Sequence, residues 1–443
     1  MNDSKLAIFN GNKSIKEHDS DIFSWPVVTS EDETEVLKVL RRGGAISGFD
    51  ITDKFENEYK NWQESKFALA HSSGTASIQA AMFGLKIGHG DEIIAPSVTY
   101  WASLLPVYSL GGTVVFSDID EKTLCIDTND ILNKISKNTK AIVVVHYCGH
   151  PADLDEILKI AKEHNIFVLE DVSHAHGALY KNKKVGTFGD VACASLMSGK
   201  SLMAGEGGML TTNNLEIYER AIAWGFYRKN NEKIQTEYLK DSLHLPLGGY
   251  KYRINQMCSA LGRVQLRNYD KRMVNIQKAM NYFWDGITNL SGIIEHRPEK
   301  KSKSTMGGWY SPHGIYNKYE LGELSINTFC KAIRAEGIED CHPGVNKPLH
   351  QHSLFQSIDI YNQGKPTRIA NARRDVRIKD KNLFKSNDIC NKTFSIPWFK
   401  HFNKEIIDQY INAYKKVCDN YELLLEIDND SNINNGSWGL TAL

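Results

Sequence analysis

The feature that most constrains this chain is a regular alternation of short apolar runs with helical patterns between residues 67 and 171. Phe67–His71 reads as a strand, and residues 74–82 open a helix directly behind it. Residues 92–96, 113–116, 141–146 and 166–171 are further strand candidates, each rich in Val, Ile or Phe. Between the last two, Leu154, Ile157, Leu158 and Ala161 recur at i, i+3, i+4 and i+7, the spacing of a helix with one buried face. Strands and helices in this order predict an α/β fold: a mainly parallel central sheet, covered on both faces, with ligands at the carboxyl ends of its strands. Asp171 and His146 lie at such ends, and Gly74 and Thr75 follow a third.

Lys200 stands in a glycine-flanked turn within residues 195–208, with Glu170-Asp171 about thirty residues upstream. A lysine amine there can condense with an aldehyde, and a carboxylate at the mouth of a buried strand can hold a cationic ring nitrogen. Together they point to pyridoxal 5'-phosphate. The freed amine would then shuttle a proton between an amino donor and the cofactor, while Asp171 keeps the ring nitrogen protonated and the ring an electron sink. A helix opening at Gly74 offers free backbone amides to the phosphate. Residues 194–201 also approach the G-x-x-x-x-G-K-S loop of nucleotide hydrolases, but Ala194 replaces its first glycine, and residues 204–212 favour a strand where that loop needs a helix. His146, Cys148 and His150, like His350 and His352, lack the spacing of a structural metal site.

The residues that carry this reading resemble those of the DegT/DnrJ/StrS aminotransferases, fold-type I pyridoxal phosphate enzymes that aminate keto-sugars and keto-cyclitols. The resemblance begins near Ser47-Gly48, runs through Ser73-Gly74-Thr75, Val145-His146, Glu170-Asp171, Lys200 and Gly207-Gly208, and returns at residues 249–253. It implies that Lys200 forms the covalent link and that Asp171 partners the pyridine nitrogen. It also places His174 beside the ring hydroxyl, Tyr100 stacked on the ring, and Gly74, Thr75 and Ser195 at the phosphate. Lys251 stands where many members have asparagine, a position that reaches the phosphate from a neighbouring subunit, so the resemblance implies a homodimer with shared sites. Ser198-Gly199 replaces bulkier residues before the lysine. Lysine, where the dehydratase branch has histidine, favours transamination. The implied donor is glutamate or glutamine and the acceptor a keto-sugar, nucleotide-linked; a keto-cyclitol is the alternative acceptor, an ATP-binding protein or a cofactor-binding paralogue without turnover the alternative classes.

Lys plus Arg and Asp plus Glu balance at 53 each, so no charge excess argues for nucleic acid or a membrane surface. The eight cysteines are scattered without a C-x-x-C pair, as expected of reduced thiols, and the longest aliphatic run is too short to span a bilayer. These features place the chain in the cytoplasm. The expected organisation is an N-terminal arm (1–30), a large cofactor-binding domain (31–270), a smaller C-terminal α/β domain (271–420) and a flexible, Asn-rich tail (421–443). Helices are predicted at 33–41 and 256–266, and a solvated loop at 297–303.

Overall fold

A computed structural model describes residues 5–16, 20–43, 48–226, 229, 233–378, 383–428 and 436–438. Ser47, where the resemblance begins, and most of the Asn-rich stretch lie outside the described residues. Seven strands form the central sheet: β1 (Phe67–His71), β2 (Glu92–Pro96), β3 (Thr113–Ser117), β4 (Thr139–Val145), β5 (Phe167–Asp171), β8 (Val191–Ser195) and β9 (Gly208–Thr212). The short strands β6 (Leu179–Tyr180) and β7 (Lys183–Lys184) make a separate hairpin. The sheet order is β1-β9-β8-β5-β4-β2-β3. All pairings are parallel except those of β9, which runs against both β1 and β8. Both faces of the sheet are covered, which is why β2, β3 and the inner part of β4 read as unbroken apolar runs rather than alternating ones.

One rim of the sheet collects the positions that matter. Val145 pairs with Asp171, Asp171 with Cys193, Ser195 with Gly208, and Gly208 with His71. The chain turns from His71 through Ser73 into the helix Gly74–Gly84, and the Ser73 side chain caps that helix by accepting a hydrogen bond from Ala76 N. Gly208 permits the crossing behind it: a Cβ there would fall 2.2 Å from Ser73 O.

A second apolar cluster lies C-terminal to the sheet, around the three-stranded antiparallel sheet β10 (Ile293–Ile294), β11 (His313–Tyr316) and β12 (Thr393–Ser395). The predicted helix from residue 256 does not stop at Leu266 but continues to Ile287. Leu266 and Tyr269 pack in the first cluster, and Ile276, Met280, Phe283 and Trp284 in the second. The division we propose near residue 270 therefore falls inside one continuous helix, which ties the two cores together. The first helix spans Ser30–Leu40, three residues earlier than predicted at its start, because Thr29 and Asp32 form a capping box. The polar arm is anchored by Leu6, Ile15 and Ile22, which are buried in the second cluster. The tail is likewise held at its start: Tyr421–Leu425 is helical with Leu424 fully buried, and Asp428 accepts hydrogen bonds from Ser325 and Thr328.

Candidate active site

At the rim, a cavity of about 310 Å³ brings together seven of the eight candidate residues: Gly74, Thr75, Tyr100, Asp171, His174, Ser195 and Lys200. Lys251 is absent from its lining and lies exposed on a loop that is tied to the rim by Ser72 N donating to Tyr252 O at 2.7 Å.

The adjacent acids of β5 face opposite sides of the sheet and do different work. Glu170 is fully buried and accepts from the backbone N–H groups of Gly186 (2.7 Å), Phe188 (2.9 Å) and Gly189 (2.6 Å). His146 Nδ1 accepts from Ala152 N at 3.1 Å, so its Nε2 carries the proton and donates to Glu170 at 3.1 Å. Burial raises the Glu170 pKa, but these hydrogen bonds outweigh it and hold the carboxyl below its ordinary value. Glu170 and His146 are thus consumed in fastening the loop after β7. Asp171 faces the cavity, where Ser103 Oγ donates to one carboxylate oxygen at 2.6 Å and Ser173 N to the other at 3.0 Å. These two donors fix the orientation of the carboxylate.

Lys200 is nearly buried, 6% exposed. Burial drives its amine pKa down from 10.5 to about 8, against the opposing pull of Asp171 and Cys148. Its ammonium lies 3.9 Å from the centre of the Tyr310 ring. Such an amine is largely unprotonated at mildly alkaline pH, the state a nucleophile requires. His174 is held as a neutral donor: Cys148 N donates to its Nδ1 at 3.3 Å, which leaves the proton on Nε2. Burial first, and then Lys200, His176 and His313, push its pKa well below the ordinary value.

The anion cradle is built from the helix start and the end of β8. A Cβ on Gly74 would come within 2.8 Å of Ser195 Cβ and 2.9 Å of Ser195 Cα, so only glycine lets the first amide of the helix approach Ser195. Ser195 is itself held by its N–H donating to Ser173 Oγ at 2.9 Å. Free amides at the start of an 11-residue helix, beside a serine hydroxyl, suit a phosphate. After Lys200 the chain runs through a glycine turn into β9, not into a helix, so the nucleotide-hydrolase loop is not formed. Among the described residues no group of three or more His, Cys, Asp or Glu is placed to hold a metal ion, and no helix is long and apolar enough to cross a membrane. The neutralisable amine, the oriented carboxylate, the neutral imidazole donor and the anion cradle fit pyridoxal phosphate as a group.

Sequence reasoning assigned no role to Ser103, Ser173, Cys148 N or Tyr310. Ser103 and Ser173 sit within a few residues of Tyr100 and Asp171, where polar neighbours were a usable signal. Tyr310 is 110 positions from Lys200 and only folding brings it near.

Comparison with known proteins agrees with this chemistry. Residues 26–415 match the DegT/DnrJ/EryC1/StrS aminotransferase family. The chain is 36% identical over 276 residues to the GDP-perosamine synthase of Escherichia coli O157:H7, covering 62% of this chain and 73% of that one. It is 30% identical over 399 residues to the uncharacterised protein MJ1066 of Methanocaldococcus jannaschii, covering 88% and 96%. The solved structure of an aminotransferase from Psychrobacter cryohalolentis superposes with a TM-score of 0.76 at 26% identity, over 90% of this chain and 99% of that one. The chain therefore belongs to the DegT/DnrJ/EryC1/StrS family and is a pyridoxal phosphate-dependent aminotransferase.

Proposed function

We propose that this enzyme transfers an amino group from glutamate or glutamine to a nucleotide-linked keto-sugar in amino-sugar biosynthesis, with Lys200 and Asp171 as its catalytic residues. The observation that carries the reading is the Lys200 amine, buried and with its pKa lowered to about 8, in one cavity with the Asp171 carboxylate and the Gly74–Ser195 cradle. Several relatives named GDP-perosamine synthase make a GDP-linked keto-sugar the first acceptor to test.

Pyridoxal phosphate held here would supply an electron sink for the donor carbon that bears the amine. Beside it, Lys200 Nζ would take the proton from that carbon and pass it to the cofactor's aldehyde-derived carbon, and in the second half-reaction would carry a proton from there to the acceptor's former carbonyl carbon. Asp171 holds the proton on the ring nitrogen, with Ser103 and Ser173 N keeping the carboxylate in place. Of the residues lining the cavity, His174 would donate from Nε2 to the ring oxygen, Tyr100 would cover the ring face, and Gly74, Thr75 and Ser195 would hold the phosphate.

The assembly we infer is a homodimer in which Lys251 reaches the partner's phosphate site. Its support is the exposure of Lys251 outside its own chain's cavity, on a segment that also exposes Tyr238 (53%), Leu245 (73%) and Leu247 (52%). None of the eight cysteines is joined in a disulfide, which supports a reducing compartment and hence the cytoplasm. The test is visible absorption of the purified enzyme with glutamate or glutamine, followed by mass analysis of a GDP-linked keto-sugar incubated with it and a keto-cyclitol as competitor. Bleaching of the cofactor band and an aminated sugar are expected. A colourless protein, or a preference for the cyclitol, refutes the proposal or redirects its acceptor.

A further inference from the structure

The backbone of Lys200 is fixed from both sides. Its N–H donates to Met197 O at 2.9 Å, closing the turn. Its carbonyl accepts the indole N–H of Trp25 at 2.9 Å, across 175 residues of chain. Trp25 does not stand alone: its ring lies 6.4 Å from that of Trp398, which packs edge-on against Tyr310 at 5.5 Å. Trp398 in turn donates its indole N–H to Gly308 O at 3.0 Å. Gly308 abuts the residue after the lysine, since a Cβ there would sit 2.4 Å from Ser201 Cβ. Three distant segments thus converge on one turn, and the Tyr310 ring they support is the surface against which the Lys200 amine rests.

We propose that Trp25 is a positioning residue for Lys200, its indole N–H setting the carbonyl of the turn and with it the path by which the amine enters the cavity. Trp25 is half-buried, and its indole N–H has as acceptor the backbone of the one side chain that must form a covalent bond. The inference rests on the reading that Lys200 condenses with pyridoxal phosphate. That condensation joins Nζ to the aldehyde carbon by a C=N bond, and the carbonyl oxygen leaves as water with the two amine protons. Pyridoxamine phosphate has no aldehyde and cannot make the bond. A residue that positions the lysine therefore affects binding of the aldehyde form and spares the amine form, whereas a residue that merely shapes the cavity affects both.

The test is Trp25→Phe, which keeps an aromatic ring against Trp398 and removes the donor. The dissociation constants of pyridoxal phosphate and pyridoxamine phosphate are measured for parent and variant by fluorescence quenching. We expect the first to rise at least fivefold and the second to change less than twofold. Equal weakening of both forms, or no change in either, overturns the proposal. Should Trp25→Phe not fold, site-specific replacement of the Trp25 indole by benzothiophene, which exchanges N–H for sulfur in the same bicyclic ring, gives the same two readouts. Borohydride trapping of the cofactor on Lys200 in the parent tests the underlying reading separately, because it does not involve Trp25.

Discussion

Replacing Lys200 with methionine should stabilise the cofactor-free protein, and by an amount that shrinks as pH rises. Methionine matches the length of most of the lysine side chain and carries no charge, so it removes the amine from its buried position with little change in packing. The amine pKa falls from 10.5 in the open chain to about 8 in the fold. Between these values the unfolded chain binds the proton and the folded one does not, so stability rises with pH through this interval. At pH 7 the folded state bears nearly the whole cost, about 3 kcal/mol; at pH 9.5 only about 1 kcal/mol remains. Lys200 is almost fully buried, so solvent screening does not discount these figures. The measurement is urea unfolding of cofactor-free parent and Lys200→Met at both pH values. The absolute gap includes differences in packing and the loss of the charge beside Asp171, but its change with pH does not depend on the packing of methionine. We expect the gap to narrow by ~2 kcal/mol from pH 7 to pH 9.5. A gap that stays flat, or widens, would refute the claim that burial lowers the pKa of this amine.

Asp171→Asn should leave the cofactor bound and slow transamination by on the order of 10²-fold or more, because an amide cannot keep the ring nitrogen cationic; single-turnover bleaching with the amino donor reads this directly, and parental rates would make Asp171 structural. Gly74→Ala should weaken pyridoxal phosphate far more than unphosphorylated pyridoxal. The added Cβ meets Ser195 Cα and Cβ below 3 Å, an overpacking of ~1–3 kcal/mol placed at the anion cradle, and equal weakening of the two ligands in titration would argue against that cradle. Mixing inactive Lys200→Ala with inactive Lys251→Ala subunits should restore part of the activity, since one site of the mixed dimer receives both lysines; no recovery after verified subunit exchange excludes action in trans.

The alternation of strand and helix was legible in the sequence because a sheet buried on both faces demands continuous apolar strands, and the flanking helices must present one apolar face to it. Strands β1 through β5 and β9 lie where that pattern puts them. Residue type and spacing also pointed to the lysine, the acid and the glycine-opened helix, because each is set by local chain geometry: a turn, a strand end, a helix start. Tertiary structure alone decided how the two acids of β5 divide their roles. A strand sends neighbouring side chains to opposite faces, but which face holds Gly186, Phe188 and Gly189 and which holds the cavity depends on where the chain after β7 returns. It likewise decided the state of the Lys200 amine. That pKa reflects how much water burial excludes, and among the groups around the amine are Tyr310 and the Trp398 behind it, residues far from Lys200 in sequence that only packing assembles.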